Sequence, residues 1–214
     1  MLRPCSLLAD VATDHGLLAA AAVSCDIAER AVATDLREAP LLRARDEIEH
    51  QDLEERITLR RGDGLAPLLD LPVDALVIAG ISGELMARML ESAPQVVEKL
   101  QQIVLQPNKD SELVRAWAYG HGWHLQDEQM VEQKERTYSV MAWKRGQGED
   151  PAYAHPHLSL SAQMLLGPLM VERRDNVSQA YFHEQAARLA AALASGGEAQ
   201  RQQLEWYRAA LKQL

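Results

Sequence analysis

Carboxylates stand at the ends of three short apolar or alternating runs in the first third of this sequence. They are, in chain order, Asp10, Asp14, Asp35 and Asp63. In a parallel sheet the ligand binds outside the carboxyl ends of the strands, so these side chains are expected to share one crevice. A carboxylate after the second strand can accept hydrogen bonds from both hydroxyls of a ribose. One after the third strand can accept a bond from the exocyclic amine of adenine, and those in the first turn can pair with an ammonium group.

A cationic cofactor matches these carboxylates better than a dinucleotide does. S-adenosyl-L-methionine carries an adenine, a ribose, an ammonium group and a positively charged sulfur, whereas a dinucleotide would bring phosphates to an acidic pocket. The turn after the first apolar run also lacks the G-x-G-x-x-G of dinucleotide-binding proteins. The residues therefore favour S-adenosyl-L-methionine over the cofactor of a nicotinamide oxidoreductase. For any single aspartate the alternative remains that it caps a helix or faces solvent in a loop.

The elements that must position these carboxylates alternate between strands and helices. Short apolar runs predict strands and the longer periodic stretches predict helices. After the apolar run that enters Asp10, strands are predicted at Ala31–Asp35, Ile57–Arg61, Ala75–Ala79 and Ile103–Gln106. The intervening helices are predicted between Gly16 and Arg30, at Glu38–His50, from Gly83 to Leu90 and at Ser111–His121.

The pattern changes after Gly122. Trp123–Val131 and Thr137–Trp143 are typical of two antiparallel strands joined by the polar loop Glu132–Arg136. Five βα units that end in such a hairpin predict an α/β fold. The expected architecture is the Rossmann-like, doubly wound sheet of seven strands that class I methyltransferases have.

The last third of the chain predicts a helical arm. Residues 1–147 are expected to form the sheet domain, which binds the cofactor, and residues 148–214 the arm. Gly167 and Pro168 break an early helix of this arm. Two longer helices are expected to form a coiled-coil-like, antiparallel hairpin with its turn at Ser195–Gly197, and they span Val171–Ala194 and Glu198–Gln213.

The composition predicts a cytoplasmic protein without a membrane segment or a metal centre. Two cysteines form no disulfide framework, and no stretch approaches the roughly 18 uncharged apolar residues of a membrane helix. The run His155-Pro156-His157 has too few companions for a metal site. Residues 1–150 carry 16 Lys and Arg against 26 Asp and Glu, a net −10, whereas residues 151–214 carry a net +1. This balance counts against a nucleic-acid substrate, and it leaves the oligomeric state open between a monomer and a weak dimer.

Five ordered motifs nevertheless resemble a family that acts on RNA. They are A-D-V-A-T-D-H (Ala9–His15), R-G-D-G-L (Arg61–Leu65), I-A-G-I-S-G (Ile78–Gly83), L-Q-P-N (Leu105–Asn108) and L-S-L-S-A-Q-M-L-L-G-P (Leu158–Pro168). R-G-D-G-L alone is a weak signal, but the ordered set resembles the bacterial tRNA (adenine-22-N(1))-methyltransferases from about Leu7 to the end of the chain. The resemblance implies an S-adenosyl-L-methionine-dependent, Rossmann-like domain and a helical arm that act on tRNA.

The candidate site residues follow from the motifs and from the predicted ends of the strands. The cofactor is expected to contact Asp10, Ala12, His15, Asp35, Gly62, Asp63, Gly64, Ala79 and Gly80. The catalytic candidates are Asp14, Gln106, Pro107 and Asn108, and the candidate tRNA contacts are Tyr138, Arg173 and Arg174. Gln106 and the Pro107 carbonyl would accept hydrogen bonds from the adenine amine, unless this turn only caps the next helix. Asp14 would handle the proton of the methylated base or bind the amino group of the cofactor. The alternatives for the tRNA contacts are sheet packing for the tyrosine and a solvated helix face for the arginines.

Departures from the family pattern predict weakened cofactor binding. The family has glycine at the positions of Ala12 and Ser82, and glutamate at that of Asp35. Glycine allows a positive φ or a close approach of the backbone to a ligand, so Ala12 is expected to crowd the methionine end of the cofactor or to shift the turn. The family also has a helix of about fifteen residues before the first strand, which helps to cover the cofactor and for which this chain begins too late. A methyltransferase-like scaffold that binds a partner through its arm is therefore the alternative function.

Overall fold

Short apolar runs form a mixed sheet in the computed structural model, which describes residues 1–134, 136–192 and 197–213. The strands are β1 (Cys5–Val11), β2 (Ala28–Asp35), β3 (Ile57–Arg61), β4 (Ala75–Ile81), β5 (Gln102–Pro107), β6 (Trp123–Gln133) and β7 (Arg136–Arg145). The helices are α1 (Leu17–Ser24), α2 (Glu38–His50), α3 (Gly83–Ser92), α4 (Pro94–Val97), α5 (Ser111–Gly120), α6 (Leu160–Leu166), α7 (Pro168–Arg173), α8 (Asn176–Ala192) and α9 (Glu198–Gln213).

The sheet has the strand order β3-β2-β1-β4-β5-β7-β6. Strands β1 to β5 run parallel, and β7 lies antiparallel between β5 and β6. The chain therefore winds outward from β1 in one direction and from β4 in the other. This reversal creates a crevice at the carboxyl ends of β1 and β4, which is where ligands bind in open α/β sheets. The predicted fold class is confirmed.

Both faces of the parallel strands are buried under helices, which explains their continuous apolar composition. One face packs around Leu76, Ile78 and the ring of Trp143. The other face packs around Leu8 and Val77, against α1, of which Ala19, Ala20 and Ala22 are buried. Small alanine side chains let this helix lie close to the sheet, and the close packing holds the turn between β1 and α1 in place.

The helices α6 to α9, called the arm below, have their own apolar cluster. It centres on Phe182, Tyr207 and Ala210, and it includes Met130 from β6. The rings of Phe182 in α8 and Tyr207 in α9 lie 5.9 Å apart between centroids, so the two helices pack against each other. The predicted turn residues Ser195 and Gly196 lie outside the described residues.

The helix predicted at Val171–Ala194 is interrupted, and this part of the prediction is wrong. Arg174 has φ 57 and ends α7, and Asp175 then accepts hydrogen bonds from the backbone and hydroxyl of Ser178 at the start of α8. Periodicity alone missed the break because neither Arg174 nor Asp175 is a strong helix breaker. Smaller corrections extend β2 back to Ala28 and lengthen the hairpin strands β6 and β7.

The division between sheet domain and arm at residues 147 and 148 stays a prediction. The segment just after it packs on the sheet side. The ring of Tyr153 lies in the core of the sheet, and the carboxylate of Asp150 accepts a hydrogen bond of 2.7 Å from the backbone of Leu125.

Candidate cofactor and substrate site

A cleft of about 790 Å³ opens at the carboxyl ends of β1, β2 and β4. Its volume lies within the range of roughly 300–1,000 Å³ that is usual for small-molecule sites. Eight residues predicted from the sequence line it, namely Ala12, Asp14, Asp35, Gly62, Asp63, Gly64, Ala79 and Gly80. Parallel strand ends bring these turns together although they are far apart along the chain.

Asp35 lies at the inner wall of the cleft with its side chain only 7% exposed. Its Oδ1 accepts hydrogen bonds from the backbone nitrogen of Arg37 at 2.8 Å and from the Arg37 side chain at 3.3 Å. These bonds fix the carboxylate at the end of β2. Asp63, in contrast, is an exposed residue of the R-G-D-G-L turn.

Asp10 does not line the cleft. It is 5% exposed, and its Oδ2 accepts a hydrogen bond of 2.9 Å from the hydroxyl of Thr13. That hydroxyl in turn accepts a bond of 3.1 Å from the backbone nitrogen of Gly16. Burial raises the pKa of Asp10 to about 6. The structure therefore places Asp10 beneath the turn between β1 and α1, where it orders the loop that forms the cleft wall.

Asp14 stands at the mouth of the cleft, where it is 63% exposed. The Arg43 guanidinium forms a hydrogen-bonded ion pair with it, and this hydrogen bond lowers the pKa of Asp14. His15, which lies outside the cleft lining, contacts the same carboxylate at 3.3 Å. Arg43 was missed from the sequence because it lies on α2, within a charged helix whose pattern does not distinguish the residue that faces the cleft.

The two departures from glycine have different consequences. Ala12 has φ 61, in the left-handed region that favours glycine, and it lines the cleft. Ser82 has φ −74 and caps α3, because its hydroxyl accepts a bond of 3.3 Å from the backbone of Leu85. The substitution at Ser82 therefore fits the fold, whereas Ala12 holds a strained conformation at the site itself.

The L-Q-P-N turn closes a ring of hydrogen bonds with Gly80. The backbone nitrogen of Gly80 donates to Gln106 Oε1 at 3.1 Å, and Gln106 Nε2 donates to Asn108 Oδ1 at 3.2 Å. Asn108 Nδ2 then donates to the Gly80 carbonyl at 2.6 Å. Gly80 has φ 80 and interrupts the register between β4 and β5, so the ring holds an irregular backbone at the edge of the cleft. Both amide side chains are engaged in this ring.

A second, smaller cavity of about 100 Å³ lies beyond this turn, between the sheet and the arm. We call it the arm cavity, and its walls include Pro107, Asn108, Thr137, Ser139, Tyr181 and Tyr207. Burial raises the pKa of both tyrosine hydroxyls. Sequence reasoning missed this cavity because its tyrosines belong to helices whose packing no local pattern specifies.

The three candidate tRNA contacts have different surroundings. Tyr138 is paired with Val131 on the hairpin and alternates with Thr137 and Ser139, so it lies on the face away from the arm cavity. Arg173 is bound to the hairpin, because it donates to the backbone carbonyl of Glu128 at 2.8 Å and forms an ion pair with Asp127. The side chain of Arg174 is exposed.

The sheet order, the antiparallel final hairpin and the cleft at the β1/β4 switch point define a Rossmann-like methyltransferase of class I. The model of the family described as tRNA (adenine(22)-N(1))-methyltransferase matches residues 8–213. The chain belongs to this family.

Three comparisons with individual proteins agree with the family assignment. The tRNA (adenine(22)-N(1))-methyltransferase of Bacillus subtilis is 33% identical over 172 residues, which are 80% of this chain and 71% of that protein. The crystal structure of the B. subtilis M1A22 tRNA methyltransferase TrmK is 28% identical and has a TM-score of 0.80, with 99% of this chain and 92% of that chain covered. Streptococcus pneumoniae Sp1610 in complex with S-adenosyl-L-methionine has a TM-score of 0.88 at 25% identity, with 99% and 94% covered.

The described part of the chain offers neither a metal site nor a membrane-spanning helix. No group of three or more His, Cys, Asp or Glu side chains there is arranged to hold a metal ion. A bilayer-spanning helix is also absent from those residues, since none of the helices combines the length and the hydrophobicity that crossing requires.

Proposed function

We propose that this protein transfers a methyl group from S-adenosyl-L-methionine to N1 of adenine 22 in tRNA. The observation that carries the proposal is the acid-lined cleft at the strand switch point, in a chain that belongs to this family. A tRNA substrate also agrees with the predicted cytoplasmic location. The test is methyl transfer from labelled S-adenosyl-L-methionine to unmodified tRNA, with mass spectrometry of the modified nucleoside. A tRNA with guanine at position 22 is the matched control, and we expect it to accept no label.

The cleft fits the cofactor in both size and chemistry. Its volume suits an adenosine joined to an amino acid, and Asp35 is a fixed acceptor for the ribose hydroxyls at the end of β2. Asp63 and the backbone of Gly62 and Gly64 line the part of the cleft where we place the adenine. Asp14 lies at the β1 turn, where we place the cofactor ammonium group. The cofactor supplies an electrophilic methyl group on its sulfonium.

The residues of this chain act mainly by positioning the reactants. Adenine N1 already carries a lone pair, and correct orientation of two reactants is worth up to roughly 7–11 kcal/mol. The lowered pKa of Asp14 makes this carboxylate a poor proton acceptor, so we assign it to ammonium binding rather than to proton transfer. Gln106 and Asn108 hold the backbone of Gly80, and the Pro107 carbonyl remains the candidate acceptor for the adenine amine.

The tRNA contacts are assigned from exposure. Arg174 is an exposed cation at the α7 end and is proposed to contact phosphate. Because Arg173 already binds Asp127 and the Glu128 carbonyl, its proposed role is to attach the arm to the hairpin. For Tyr138 we retain stacking on tRNA as a proposal that does not involve the arm cavity.

A catalytically weak scaffold is the second candidate function, and the left-handed conformation of Ala12 favours it. Calorimetry separates the two candidates. Micromolar binding of S-adenosyl-L-methionine supports the enzyme, whereas no measurable heat at millimolar cofactor supports the scaffold.

A further inference from the structure

We propose that the arm cavity receives the target adenine, so that the arm forms part of the methyl-transfer site. This inference rests on the proposed function, because it assigns a place to the base that the enzyme modifies. The cavity is formed jointly by the turn after β5, the face of β7 that carries Thr137, and helices of the arm. A base extruded from tRNA needs such an enclosed pocket beside the reactive group.

The first argument is position. Asn108 lines the arm cavity and donates its 2.6 Å hydrogen bond to the carbonyl of Gly80, which lines the cofactor cleft. The two cavities therefore adjoin each other at this hydrogen bond.

The second argument is the chemistry of the walls. Tyr181, Tyr207 and Met130 provide aromatic and thioether surfaces on which a planar base can pack. The hydroxyls of Thr137 and Ser139 provide polar groups at the edge of the same space. A nucleobase, which has flat apolar faces and a polar edge, matches this combination.

The third argument is charge, which distinguishes an adenine from a phosphate. Asp110 and Glu112 line the cavity, and carboxylates repel a phosphate group. Lys109 lines it too, but its Nζ lies 3.6 Å from the Asp110 carboxylate, so these two charges offset each other. Arg115 also lines it, but its guanidinium is already bound to Glu128 at 2.7 Å and to the carbonyl of Met164 at 2.7 Å. The carboxylate of Glu112 therefore suits the exocyclic amine of adenine and the positive charge that the base acquires on methylation.

The reaction balances within this arrangement. The lone pair of adenine N1 forms the new nitrogen–carbon bond as the carbon–sulfur bond breaks, and sulfur keeps the bonding electron pair as a neutral thioether. The positive charge moves from sulfur to the methylated base. Glu112 lines the cavity that would hold this charge, and a carboxylate there stabilises it electrostatically.

The test is a cavity-filling variant with a matched control on another strand. Thr137→Phe places a ring in the arm cavity, whereas Thr58→Phe makes the same change at an exposed position of β3 outside both cavities. We expect Thr137→Phe to lower kcat/KM for tRNA by about tenfold or more relative to Thr58→Phe. The affinity for S-adenosyl-L-methionine should agree between the two variants within about twofold, because neither residue lines the cleft. Equal kcat/KM values for the two folded variants would overturn the proposal.

A second measurement keeps the proposal testable if Thr137→Phe does not fold. Glu112→Gln removes one charge at nearly constant shape, and Glu98→Gln, an exposed residue outside both cavities, is its control. We expect Glu112→Gln to bind the methylated, cationic tRNA about threefold or more weakly, with a smaller effect on unmethylated tRNA. An equal effect on both tRNAs would contradict the assignment. Wild-type enzyme that fails to label adenine 22 would instead refute the proposed function.

Discussion

Replacement of Ala12 by glycine tests the conformation of the cleft wall. At φ 61 an L-residue costs roughly 1–2 kcal/mol relative to ordinary backbone, and glycine removes that cost. Glycine also gives the unfolded chain more freedom, which offsets about 0.4–1 kcal/mol. The net effect is a gain of about 0.5–1 kcal/mol in the free energy of unfolding. For a chain of 214 residues this gain corresponds to about 2 °C in Tm.

The same substitution should strengthen cofactor binding, because it removes a methyl group from the cleft wall beside Asp14. The assay is thermal unfolding with and without S-adenosyl-L-methionine, combined with calorimetric titration. Asp52→Gly is the control, because Asp52 has φ 55 at the end of α2 and lies outside the cleft lining. We expect the control to leave cofactor affinity unchanged. If Ala12→Gly lowers Tm and leaves the Kd unaltered, the strain argument is refuted.

Three further predictions concern the cleft and the buried charges. Asp35→Ala should weaken S-adenosyl-L-methionine binding about tenfold or more, with less effect on tRNA binding, and Asp46→Ala on the exposed face of α2 is the calorimetric control. Asp10→Asn should change the pH dependence of unfolding. Burial raises the pKa of Asp10 from 3.8 to about 6, so the folded state of the wild type favours the protonated carboxyl, and its free energy of unfolding falls as the pH rises from about 4 to about 6. The variant lacks this loss, so its free energy of unfolding relative to wild type should rise by up to roughly 3 kcal/mol as the pH rises over that window. The measurement is urea unfolding at several pH values. Parallel pH profiles of the two proteins would contradict the raised pKa of Asp10. Arg115→Met should lower the free energy of unfolding by about 3–5 kcal/mol, because it leaves the fully buried Glu128 carboxylate unpaired, and a loss below about 1 kcal/mol would show that this pair does not anchor the arm.

Much of the cofactor cleft could be predicted from the sequence. Asp35, Asp63 and the glycines beside them follow apolar runs, and parallel strands bring such positions to one edge of the sheet. At Ala12, where the family has glycine, the structure shows a positive φ, one of the two reasons for which a glycine is used at such a turn. The role proposed for Asp10 could not be judged this way, because strand-end position does not tell whether a carboxylate faces the ligand or lies beneath the turn.

The chain's own pattern determined the order of its strands and helices, the acid-lined edge of the sheet and the resemblance to a tRNA methyltransferase. These properties follow from local periodicity and from turn residues, which act over a few positions. Only the tertiary structure decided that Gln106 and Asn108 form hydrogen bonds with the backbone of Gly80. It also decided that Arg43 forms an ion pair with Asp14. The position of Tyr181 and Tyr207 in the wall of the arm cavity is a third tertiary feature. Each of these contacts joins elements that are distant along the chain. Their packing depends on the shapes of the side chains and on whether buried charges are paired, and no local sequence pattern encodes either property.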